Sequence, residues 1–83
     1  MTIFEVTARY DAGFGALAKP PGDEPVTRAR MLTAGSGAST SDFTAEVDAD
    51  SSEAAIAEAM VAITRQAAWR GITSPARSVE VTR

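Results

Sequence analysis

The chain has no cysteine, no histidine and no asparagine, and a single lysine, Lys19. Without cysteine there is no disulfide, no thiolate nucleophile and no thiolate metal ligand. Without histidine it lacks the imidazole ligand and the side chain best suited to moving protons near neutral pH. The missing asparagine removes the acceptor for N-glycosylation. No apolar run approaches the roughly 18 residues of a membrane helix, and the opening MTIFEVTARY places Glu5 where a signal peptide would be apolar. A soluble, cytoplasmic protein without metal, cofactor or membrane partner is the expectation from these absences.

Large apolar residues are also scarce. Hydrophobic residues make up 45% of the 83, but 17 of them are alanines, and Leu, Ile, Val and Phe together number 15. That is enough for one small domain, residues 1–83, with a thin core that a partner copy would supplement. The net charge of -3, from 8 basic and 11 acidic residues, disfavours broad binding to nucleic acid or anionic lipid. Abundant Ala, Arg, Thr and Gly with one Lys is what a GC-rich bacterial genome, or a phage of such a host, encodes.

What is present is patterned. From Thr2 to Tyr10 residues alternate, with Phe4, Val6, Ala8 and Tyr10 on one face and Glu5, Thr7 and Arg9 on the other, predicting a half-buried strand. Asp11 to Pro25 carries three Gly and three Pro and reads as a long loop. Its Gly13, Gly15 and Ala18 superficially match a dinucleotide fingerprint. That site needs a helix N-terminus facing the pyrophosphate, and Lys19-Pro20-Pro21-Gly22 ends any helix there. Phe14 is either a plug over the core or an exposed anchor for a partner.

Val26 to Ala34 predicts a second strand, with Ala29 and Met31 inward, Arg28 and Arg30 outward, and a bulge where Met31 meets Leu32. After the flexible segment 35–41, Asp42 to Ala49 alternates again, with Phe43, Ala45, Val47 and Ala49 inward. Asp50 to Ile72 has the full signature of a helix. Asp50 or Ser51 is the N-cap, with Asp50 and Glu53 spaced as a capping box. Glu53 and Glu58 early, with Arg65 and Arg70 late, complement the macrodipole. An apolar stripe runs along Ile56, Met60, Ile63 and Ala67, flanked by a shoulder of Ala55, Ala59 and Ala62, and Gly71 with Ile72 makes a Schellman end. Val79 and Val81 mark a last strand with Glu80 outward.

The fold class expected is α+β, in the order βββαβ. A meander of three strands and a right-handed helical crossover give one four-stranded mixed sheet of order 4-1-2-3, covered on one face by a single helix. The inventory argues against catalysis. A nucleophilic serine needs a base, and Lys19 has no S-x-x-K spacing. Glu46, Asp48, Asp50 and Glu53 form an acidic cluster, but a catalytic metal site needs a further acid and a closed pocket. The function expected is therefore a small non-catalytic module that binds another protein or itself, as a homodimer or higher oligomer. Its candidate partner-binding residues are Trp69, Arg65, Arg70, Arg28, Arg30 and Phe14, types suited to interface anchors and charge-assisted contacts. The alternative is an accessory nucleic-acid binder using arginines on the open sheet face.

Overall fold

The computed structural model describes residues 2–12, 29–36 and 39–82, with the backbone only at 33, 34 and 36. Arg28 and Phe14 lie outside the described residues, as do the pattern at 13–18 and Lys19. The elements follow in the order β1 (Thr2–Tyr10), β2 (Arg30–Ser36), β3 (Ser41–Ala49), α1 (Ser52–Trp69) and β4 (Ser78–Thr82).

The alternation in β1 and β3 becomes burial directly. Phe4, Val6, Ala8 and Tyr10 from β1, and Phe43, Ala45, Val47 and Ala49 from β3, are all buried beneath the helix. The Tyr10 and Phe43 rings meet edge to face, with centroids 5.6 Å apart and planes at 89°, a favoured aromatic geometry.

Strand order differs from the sequence-based expectation. The sheet runs β2-β3-β1-β4, and every neighbouring pair is antiparallel. The expected meander would have put β2 beside β1. Instead the two nine-residue strands with clean alternation pair over their whole length, from Thr2 opposite Ala49 to Tyr10 opposite Ser41. Their eight buried residues thereby fall side by side under α1, an arrangement the shorter and irregular β2 could not provide. Consequently β1 and β2 run in the same direction with β3 between them, a connection that needs a dozen residues or more, which the chain from Asp11 to Ala29 supplies. The same change reverses β4. The 18-residue helix returns along the sheet from the end of β3, so β4 runs parallel to β3 and antiparallel to β1, not parallel to β1.

The bulge expected near Met31 and Leu32 is present as a register shift between Met31 and Thr33. Ala29 is buried, Met31 is half-buried against the core, and Leu32 stays exposed.

The helix is capped by Ser51, whose Oγ accepts from the Ala54 N–H at 3.1 Å. Because the cap is Ser51, the third helical residue is Ala54, and the proposed Asp50–Glu53 box is out of register. Glu53 still stands in the first turn, but no basic residue lies in the last. At the other end the Ile72 N–H donates to Ala67 O at 2.8 Å and the Gly71 N–H to Ala68 O at 3.0 Å. These are the two bonds of a Schellman motif, and Gly71 adopts the positive φ of 92° that it requires. Ile72 is thereby folded back into the core.

The buried line along α1 is Ala55, Ala59, Ala62, Ile63, Gln66 and Ala67. The alanines expected as a shoulder are thus the centre of the contact, and Ile56 and Met60 lie half-buried on one flank. Small residues at the centre let the helix approach the sheet closely. The helix sits mainly over β3 and β1. No helix among the described residues is long and apolar enough to cross a membrane.

Candidate functional site

Away from the helix, the alternate residues of the strands form an uncovered face. Strand register places its side chains in rows. One row reads Arg30, Glu46, Glu5, Thr82 across the four strands. The next contains Thr44, Thr7 and Glu80, and the third Asp42, Arg9 and Ser78. Beyond the first row Ile3 lies opposite Asp48 and is 49% exposed.

The third row is internally satisfied. Arg9 Nε donates to Asp42 Oδ1 at 2.9 Å and its second nitrogen to Oδ2 at 3.4 Å. The hydrogen bond to Asp42, then its charge and that of Glu80, hold the guanidinium above its ordinary pKa. In the second row the Thr7 and Thr44 hydroxyls share a hydrogen bond of 2.8 Å. The first row is different, because Glu5 and Glu46 face each other on the two central strands. Like charges directly opposite are unfavourable, and among the described residues Arg30, paired in register with Glu46 from β2, is the cation of that row.

Among the described residues this face carries five carboxylates (Glu5, Asp42, Glu46, Asp48, Glu80) against two guanidiniums (Arg9, Arg30), a surplus of three negative charges. The expected order placed β2 inside the sheet, with its outward arginines between two acidic neighbours. With β2 at the edge, Arg30 borders an acidic centre.

The residues singled out as partner-binding do not converge. Arg30 is exposed on the uncovered face at the β2 edge, whereas Arg65 and Trp69 belong to α1 and Arg70 is its C-cap, on the opposite side of the sheet. Arg65 is exposed and Trp69 is half-buried. The Arg70 guanidinium lies 5.2 Å from the Trp69 ring centroid, within cation–π range. The Trp69 Nε1 is shielded from solvent and has no acceptor among the described residues.

Two grooves open on the helix side, one beside β4 and one beside the connector that leads into it. One, of about 460 Å³, is lined by Phe4, Val81, Thr82 and the start of the helix at Ser51 and Ser52. The other, of about 490 Å³, lies between Met60, Ala67 and the connector Ile72 to Ala76, with Tyr10 at its floor. Burial pushes the Tyr10 phenol above its ordinary pKa, opposed by a hydrogen bond with Thr64. The connector is fastened to the sheet where the Arg77 N–H donates to Arg9 O at 2.6 Å and the Arg77 side chain meets Asp11 at 3.1 Å.

The order expected from the sequence already set β4 at an edge beside β1, and the structure keeps it there. What sequence reasoning passed over is that Val79 of SVEVT, placed toward the core by alternation, stays exposed on that edge strand. Among the described residues no three acidic, histidine or cysteine side chains are grouped so as to hold a metal ion. Comparison with protein-family models, with curated proteins and with solved structures finds no match to this chain.

Proposed function

We propose that this chain is a small non-catalytic protein–protein interaction module that associates with itself. The observation that carries this reading is a sheet with one helix on one face, nothing described on the other, and edges at β2 and β4 that pair with no further strand among the described residues. An unpaired edge offers a row of N–H and C=O groups to another strand. The thin, alanine-rich helix contact gives such a domain something to gain from a partner copy.

The residue inventory supports the non-catalytic part, since neither histidine nor cysteine is available for acid–base or nucleophilic chemistry. Nucleic-acid binding draws less support, because the uncovered face is acidic and offers no aromatic side chain among the described residues for base stacking. Light scattering coupled to size exclusion, over a concentration series at moderate salt, tests the reading. A mass rising to at least twice 8.6 kDa is expected. A strict monomer at the highest concentration overturns self-association.

A further inference from the structure

The two edges of the sheet are not equivalent. The β2 edge carries two features that natural sheets use against strand addition, a break in register between Met31 and Thr33 and an exposed charge at Arg30. The β4 edge has neither the break nor a basic residue. Its five pairs to β1 run without a shift, and within Ser78–Thr82 only Glu80 is charged. Val79, on the helix side of the sheet, remains 37% exposed because α1 lies over β3 and β1. The grooves beside Val81 and beside Met60 leave both ends of that side open.

We propose that the free edge of β4 takes the β4 of a second copy of this chain, antiparallel across a two-fold axis, joining two sheets into one of eight strands. This rests on the self-association read above and names its site. A two-fold interface must be complementary to itself, and SVEVT meets that requirement in a particular register. Residues facing each other across antiparallel strands lie on the same side of the sheet, so the axis passes at Val79, Glu80 or Val81. An axis at Glu80 sets two carboxylates directly opposite, the unfavourable arrangement. An axis at Val79 sets Glu80 against the uncharged Ser78 of the second copy and brings the two Val79 side chains together. Val79 is also more exposed than the half-buried Val81, so this register buries the most new apolar surface.

Because the chain has no cysteine, each single-cysteine variant carries one thiol. Directly opposed strand residues have Cα separations suited to a disulfide. Val79→Cys, Val81→Cys and Leu32→Cys are oxidised separately, and Ser78→Cys is oxidised together with Glu80→Cys, with circular dichroism confirming that each variant is folded. The expected result is a wild-type dimer by light scattering, near-complete cross-linking of Val79→Cys, a mixed Ser78–Glu80 cross-link, and little from Val81→Cys or Leu32→Cys. Val79→Lys is expected to weaken dimerisation by at least tenfold while leaving the dichroism unchanged. A dimer that cross-links through Leu32→Cys and not Val79→Cys overturns the β4 assignment and leaves self-association standing. Dominant cross-linking of Val81→Cys overturns the register. A strict wild-type monomer overturns self-association itself.

Discussion

The two faces of the sheet are built from alternate residues of the same strands, yet their interactions differ in kind. On the helix side, Val6, Ala8, Phe43, Ala45 and Ile63 are fully buried and apolar. On the other side, among the described residues, the Arg9–Asp42 ion pair, the Thr7–Thr44 hydroxyl pair and the opposed Glu5 and Glu46 hold the strands' outer positions. Removing apolar area from water is worth about 25 cal/mol per Å² and is not screened by salt, whereas exposed ion pairs are worth at most about 1 kcal/mol and are screened. The helix side therefore holds the fold, and the uncovered side is free to vary in charge.

The strongest way to break this contrast is Ile63→Asp. It places a carboxylate at the centre of the core with no partner, and loss of helical dichroism at 25 °C is expected. Ile56→Asp, on the half-buried flank, is expected to leave a folded but weakened protein. If Ile63→Asp melts like wild type, the helix does not hold the sheet.

A second probe is the alanine seam. Ala59→Leu adds volume where the helix meets the sheet most closely and is expected to cost about 1–3 kcal/mol in denaturant unfolding. Ala57→Leu, on the exposed helix face, is expected to be near neutral.

Alkali offers a third probe. Burial raises the Tyr10 pKa in the folded state, so the folded protein holds the phenolic proton more tightly than the unfolded one. The corresponding stability is complete below the unfolded pKa near 10 and is lost as pH rises through the folded pKa. Tyr10 is the one tyrosine, so tyrosinate absorbance titrates it directly. Thermal melts from pH 9 to 11 should fall with a slope that Tyr10→Phe flattens.

Smaller still is Ser51→Ala, expected to cost about 1 kcal/mol through the lost cap to Ala54. An equal loss in Asp50→Ala would shift the cap to Asp50. The smallest effect has the opposite sign. Glu5→Lys replaces the repulsion with Glu46 by attraction and should stabilise by a few tenths of a kcal/mol at low salt, fading as salt is added. A destabilised Glu5→Lys would mean that the uncovered face contributes to the fold after all.

Much of the local structure is legible in the sequence. Period-two alternation located β1 and β3 and their buried residues, and Gly71 followed by Ile72 located the Schellman end. The helix centre was misplaced by a fraction of a turn. Hydrophobicity favours Ile56 and Met60 over alanine, whereas close approach to a sheet favours the smaller side chain. Of the candidate site, part was legible. Arg30 outward on a strand and Trp69 on the helix were read correctly as lying on opposite sides of the sheet, whereas Val79, expected to face the core, stays exposed on an edge strand that the helix covers little.

By itself the sequence determined that β1, β3 and β4 are strands, where the helix stops, and which catalytic chemistries lack their residues. Those properties depend on neighbours within about a turn or a hairpin, and the spacing of side chains along the chain carries them. Only the tertiary structure decided that β3 lies between β1 and β2, that Glu5 faces Glu46, and that β4 runs antiparallel to β1. Strand order is set by which long-range pairing buries the most apolar surface under the helix. That competition between whole strands is not written in any one of them.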